Sequence, residues 1–155
     1  MNHSQLAGEL FYKGYNCSQA VVAAFSDIIG IDEKAMLKIA SSFGGGMGRM
    51  REVCGAVSGA LIVLGLLYGY SDTDYEKKKE HYALVRRFAS EFKEETGSII
   101  CREMLSGIVS DTTEDPEKRT EEYYKKRPCR NIIELSAKIV DKIILEKGLP
   151  DENKI

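Results

Sequence analysis

The chain has no tryptophan and only two histidines, His3 and His81, in 155 residues. A histidine-rich metal centre or a histidine-dependent catalytic array is therefore hard to build. No charge sign dominates either: 22 lysines and arginines stand against 24 aspartates and glutamates, for a net charge of −2. That balance provides no electrostatic footprint for a nucleic acid or an anionic membrane surface, so neither is expected as a partner. No two cysteines form a Cys-x-x-Cys pair, the gaps between Cys17, Cys54, Cys101 and Cys129 being 37, 47 and 28 positions. This excludes a thioredoxin-type motif and weighs against a zinc ribbon, whose ligands come in close pairs. The first residues carry no basic stretch followed by an apolar run, so no secretory signal is expected. The expected setting is cytoplasmic, where thiols are kept reduced and structural disulfides are rare.

What is present is the composition of a packed protein. Hydrophobic residues make up 43% and charged residues 30% of the chain, near the ordinary globular averages. The length predicts one helical domain over 1–155, with a core at about 10–147 and a short tail at 148–155. Helical periodicity runs almost throughout. A first helix is expected at about 3–13, ended near Gly14. Asn16 caps a second, whose apolar face is Cys17, Val21, Ala24, Phe25 and Ile28, with Gly30 as its stop. Asp32 caps a third, to about Ser42. A buried helix is expected from about Arg51 to Tyr70, and a charged amphipathic one from Asp72 to about Thr96. A short helix follows at about Ile99–Leu105, then a loop over 107–116. Pro116 opens another charged helix with Tyr123 and Tyr124, and Pro128 opens the last, closed by Gly148 and Pro150. With no alternating strand and no repeat, the fold class is all-α: a bundle of about five to seven helices around the glycine-rich one.

Two stretches invite other readings. Val53 to Ser71 carries no charge and approaches the ~18–20 residues of a membrane span. Gly55, Gly59, Gly65 and Gly69 dilute it, and it stands alone, so a helix buried inside a bundle is expected instead. The loop Gly44-Gly45-Gly46-Met47-Gly48 offers free amides before a helix, as anion-binding loops do. It lacks the last glycine of a dinucleotide fingerprint, having Arg49 there, and it lacks the Gly-Lys-Ser/Thr of a phosphate loop. A flexible connector is expected, with Arg49 and Arg51 adding positive charge beside it.

The four cysteines carry the chemistry. Cys17 follows Asn16, Cys54 follows the glycine loop, Cys101 lies three residues after Ser98, and Cys129 follows Pro128. All four thus fall near expected helix starts, where the macrodipole and free amides favour thiolate over thiol. Cys54, with two arginines nearby, is the expected nucleophile. His81 borders the stripe of Val85, Phe88 and Phe92 and is not taken as its base, and His3 is expected in a frayed terminus.

The segment CGAVSG, Cys54 through Gly59, resembles the core motif of a family of redox-active proteins named for the pattern C-GCAxxG-C-C. YNCSQAV, Tyr15 through Val21, and FGGGMGR, Phe43 through Arg49, are similar to it too. The resemblance covers roughly 10–145 and sets Cys17, Cys54, Cys101 and Cys129 on the family's four cysteines, with Gly55, Ala56 and Gly59 on the rest of the motif. It brings no substrate with it.

Three readings stand side by side. The first is thiol–disulfide chemistry, oxidoreductase-like, with Cys54 attacking and Cys17, Cys101 or Cys129 resolving. Its counterpart is a redox partner or small molecule whose identity the sequence does not give, and no cofactor is required. The second is a binding module in which the four cysteines hold zinc or an iron–sulfur cluster. The third is inert thiols packed between helices. Monomer and oligomer are both compatible with the sequence.

Overall fold

The computed structural model describes residues 2–108 and 113–151. Among them are nine α-helices, one 3-10 turn and no strand, so the fold is all-α. The helices are α1 (His3–Tyr12), α2 (Cys17–Ala24), α3 (Ser26–Ile29), α4 (Glu33–Ala40), α5 (Gly55–Tyr68), α6 (Tyr75–Thr96), α7 (Cys101–Met104), α8 (Glu121–Lys126) and α9 (Cys129–Lys147). The 3-10 turn, Ser41–Phe43, prolongs α4. The count exceeds the expected five to seven because it includes one-turn pieces: α3, split from the expected second helix, and α7, which matches the short helix expected at about Ile99–Leu105. Part of the loop expected at 107–116, residues 109–112, lies outside the described residues, as does 152–155 of the expected tail.

Local chemistry explains most boundaries. Asn2 and Asn16 each accept from the backbone N–H three residues on, while Gln5 and Gln19 reach back to the cap, closing two reciprocal capping boxes. Asp32 and Asp74 cap α4 and α6 in the simpler way. Gly30 and Gly97 end α3 and α6 in the left-handed conformation. The expected second helix is in fact two, because the backbone leaves helical geometry at Phe25 (φ −101°, ψ 13°), whose side chain is fully buried. The helix expected from Pro116 begins only at Glu121, where the Thr120 side chain caps it.

The glycine-rich helix α5 is the centre, as expected. Ala56, Val57, Ala60, Val63 and Leu64 are completely buried, and α2, α9 and α6 pack around it. It has 14 residues, and no described helix is long and apolar enough to cross a membrane. Gly55 and Gly59 form one face of α5, four residues apart. A Cβ on Gly59 would stand 2.8 Å from the Ser18 carbonyl oxygen, and one on Gly55 would stand 2.8 Å from that of Phe43 and 3.0 Å from the Cys17 Cβ. These two glycines therefore let α2 lie directly against α5. On the other side, the buried Ser136 hydroxyl of α9 donates to the Ala56 carbonyl at 2.7 Å. Phe88 and Phe92 of α6 close the core.

His3 is not frayed. Its ring stacks on Phe25 at 4.2 Å, Nδ1 lies 2.6 Å from Asp141 and Nε2 lies 3.0 Å from Asp27. It ties α1 to α3 and α9, contacts at a sequence distance that no local pattern reveals. His81 is half-buried against Tyr70, and desolvation holds its ring below the ordinary histidine range.

Candidate functional site

Two devices bring the cysteines to one place. The first is the packing of helix starts. Cys17 and Cys129 are the first residues of α2 and α9, and Cys54 is the N-cap of α5. The glycine face of α5 sets Cys17 beside the start of that helix, and the Ser136–Ala56 hydrogen bond holds α9 against its first turn.

The second device is a short antiparallel clasp between residues 52–54 and 99–101. Val53 and Ile100 form the bridge. The Cys54 N–H donates to the Ile99 carbonyl at 2.8 Å, and the Cys101 N–H donates to the Glu52 carbonyl at 2.7 Å. The clasp replaces the first turn of the helix expected from Arg51, and it carries Cys101 to the others.

The glycine loop completes the wall. It is not a flexible connector: it is a wound turn in which Gly48, Arg51 and Glu52 donate to Ser42, Gly45 and Gly46. Met47, Arg49 and Arg51 all have positive φ, at 68°, 65° and 60°, a conformation costing a side-chain-bearing residue about 1–2 kcal/mol. Gly46 admits the winding, since a Cβ there would meet the Arg51–Glu52 backbone at 2.6–2.8 Å.

These elements enclose a cavity of about 250 Å³. All four cysteines line it, together with Gly44, Gly45, Gly46, Arg49, Arg51, Arg119, Tyr123, Arg127 and Ile132. His81 does not. Cys54 and Cys101 are buried, and Cys17 and Cys129 are partly open. Among the described residues, no three histidine, cysteine, aspartate or glutamate side chains come together as a group able to hold a metal ion. The thiols share a cavity without forming the four-sulfur ligand set that zinc or an iron–sulfur cluster needs.

The thiols are not equivalent. Cys17 and Cys129 act on each other's titration. The Cys129 side chain and burial push Cys17 well above the usual thiol range. Cys129, favoured as the anion by the Cys17 side chain and then by the Arg127 guanidinium, is held below the usual range despite burial. Cys54 is pushed up to about 12, first by burial and next by the charge of Cys17, against the Ala56 and Val57 amides. Cys101 is also raised by burial, although Arg51 donates to its sulfur at 3.8 Å. Burial thus outweighs the two arginines expected to favour the Cys54 anion. All four cysteines do sit at helix starts, but three of them are raised above the usual thiol range.

Three polar residues of the wall escaped the sequence reading. Arg119 donates to the Phe11 and Tyr15 carbonyls and lies 4.5 Å over the Phe11 ring and 4.7 Å over Tyr123. Arg127 is buried, pairs with Glu117 at 2.6 Å and stacks on Tyr123. Tyr123 is pushed up to about 12 by burial. Only Arg127 had a local signal, lying two residues before Cys129. The carbonyl partners of Arg119 are more than 100 positions away.

Against families of known proteins, residues 15–143 match the family described as "Putative redox-active protein (C_GCAxxG_C_C)". No curated protein and no solved structure matches the chain.

Proposed function

The chain belongs to the C_GCAxxG_C_C family of redox-active proteins, and from that premise we propose that it is a thiol–disulfide redox protein built on one helical domain, with Cys17 and Cys129 as its working pair. What supports this reading is that both sulfurs line one cavity, each moves the other's titration, and Arg127 stands beside Cys129. One of the pair is thereby poised as thiolate, the form that attacks a disulfide. The other is the resolving thiol.

The chemistry balances as two exchanges. Cys129 thiolate attacks one sulfur of a substrate disulfide, forming a mixed disulfide and expelling the first substrate thiolate. Cys17 gives up its proton to that leaving thiolate and attacks the Cys129 sulfur, expelling the second. Two electrons pass from the pair to the substrate, and the protein is left with a Cys17–Cys129 disulfide. A dithiol reductant returns it to the starting state. A cytoplasmic setting, with its reducing thiol pool, suits a pair that rests reduced. Cys54 and Cys101, neutral and buried, flank the pair.

The test is titration of the reduced protein through glutathione buffers of graded potential, followed by peptide mapping. A single two-electron transition that links Cys17 to Cys129 is expected. Oxidation that links Cys54 to Cys101 first, or no transition at all, overturns the assignment.

A further inference from the structure

Arg51 is the odd member of the cavity wall. It is 5% exposed. Its Nη1 points to the Cys101 sulfur at 3.8 Å, and its Nη2 is buried with no hydrogen-bond partner. No carboxylate pairs with it among the described residues, whereas Arg127, in the same wall, has Glu117 at 2.6 Å. Arg119 is occupied by two carbonyls and two rings. Arg49 reaches the Asp115 carbonyl and the Thr113 hydroxyl.

A guanidinium cannot shed its charge, and burying it without an anion is costly. The Cys101 sulfur does not supply that anion, since burial keeps Cys101 a neutral thiol. What the planar fork matches is an oxyanion, above all a carboxylate. The rest of the wall fixes the size and character of its bearer. A cavity of about 250 Å³ is too small for a folded partner and has room for a small molecule. Met104, Leu105, Ile132 and Ile133 offer it an apolar side.

We propose that Arg51 is the recognition residue of an anion subsite in the cysteine cavity, and that the substrate is a low-molecular-weight disulfide bearing a carboxylate. This rests on the thiol–disulfide reading above and names its substrate class. The carboxylate pairs with the Arg51 guanidinium, whose buried Nη2 has no other partner, and this holds the disulfide inside the cavity that Arg51 and Cys129 both line. Cys129 thiolate then displaces one substrate thiolate, Cys17 displaces the second, and the products leave as two carboxylated thiols. Arg51 is a binding residue and exchanges no electrons.

The experiment uses three disulfides with the same two-carbon arm: 3,3′-dithiodipropionate, 2-hydroxyethyl disulfide and cystamine, which are anionic, neutral and cationic. Second-order rates of oxidation of the reduced protein are followed by mass spectrometry as the loss of two hydrogens, and each is divided by that compound's rate with a simple thiol. Dithiodipropionate is expected to lead the neutral compound by at least tenfold, with cystamine last. Arg51→Gln is expected to erase that lead, bringing the normalised rate of dithiodipropionate down to that of the neutral compound. Equal normalised rates for the three compounds in the unaltered protein overturn the anion subsite while leaving the redox reading standing, and that ordering needs no variant to fold. A lead that survives in a folded Arg51→Gln protein also overturns the assignment to Arg51. Failure of all three compounds to link Cys17 and Cys129 overturns both proposals.

Discussion

The cavity holds two cysteine pairs that face the same space under different physics. Cys17 and Cys129 start two helices of the bundle, are partly open, and shift each other's titration in opposite senses. Cys54 and Cys101 are brought together by the clasp around Val53 and Ile100, are buried, and have no thiol partner of that kind. Both pairs lie at helix starts, and both have an arginine within reach. A helix terminus alone therefore does not make a reactive cysteine. Burial raises Cys54, and it raises Cys101 even though Arg51 donates to its sulfur; at Cys129 the neighbouring Cys17 and the Arg127 guanidinium outweigh it.

The largest expected effect breaks the comparison directly. At pH 7 a thiol of ordinary pKa is only a few per cent thiolate, and one raised by burial is far less. Cys129→Ser is expected to slow alkylation of the folded protein by iodoacetamide by about a hundredfold. Cys54→Ser is expected to leave the fast phase in place. Cys17→Ala, which removes the neighbouring thiol, is expected to shift the pH profile of that phase upward. If Cys54→Ser removes the fast phase instead, the two pairs have been assigned the wrong way round.

Gly55→Ala tests how the first pair is positioned. Its Cβ would meet the Phe43 carbonyl at 2.8 Å and the Cys17 Cβ at 3.0 Å. Overpacking of this kind costs about 2–3 kcal/mol, read as a lower urea midpoint with unchanged slope. Because the clash pushes Cys17 away from α5 and not the clasp, thiol labelling of Cys17 and Cys129 should change more than that of Cys101. The sequence motif thus has a mechanical meaning: the cysteine caps the helix, and the two glycines admit the neighbour that carries the second cysteine.

Alkaline stability separates the pairs by sign. Cys54 sits at about 12 against an ordinary 9.0. A raised folded value means that its contribution is fully present below the unfolded value and lost as pH rises towards the folded one. Wild type should therefore lose roughly 2 kcal/mol more than Cys54→Ala between about pH 8 and pH 10.5. Cys129 has the opposite sign: its lowered value adds stability above the unfolded value, and that is lost as pH falls through the folded one. Urea midpoints of wild type, Cys54→Ala and Cys129→Ser across that range measure both. Equal pH slopes for all three proteins would remove the electrostatic distinction.

Much of this arrangement is legible in the sequence, and what is not has a common cause. Helix starts at Cys17 and Cys129 are written in Asn16 with Gln19 and in Pro128, all local signals. The buried helix is written in its uncharged run. The clasp between Val53 and Ile100 is not, because three residues on each side give no alternation to detect, and Arg51 looks from the sequence like the start of a helix. Nor is His3, whose partners Asp27 and Asp141 are far away in the chain. Which cysteine is acidic depends on burial, on a second thiol 112 positions away by the numbering, and on Arg127. Only the last of these is local, and from the sequence the two arginines near Cys54 single that cysteine out among four helix starts.

The smallest effect concerns the tie between the pairs. Ser136 on α9 donates to the Ala56 carbonyl at 2.7 Å, fully buried, two residues past Cys54 on α5. Ser136→Ala removes the donor and leaves a buried carbonyl without that partner, at about 1 kcal/mol. The methyl group fits the space, so the core should remain intact and the midpoint should fall only slightly. If the tie matters only for stability, Cys129 should alkylate at its wild-type rate in this variant. If it sets the placement of Cys129 relative to Cys17, the pH midpoint of the fast phase should rise even though neither cysteine was changed. The second result would make the hydrogen bond a positioning element for the reactive pair, linking the α5 backbone beside the inert cysteine to the acidity of the active one.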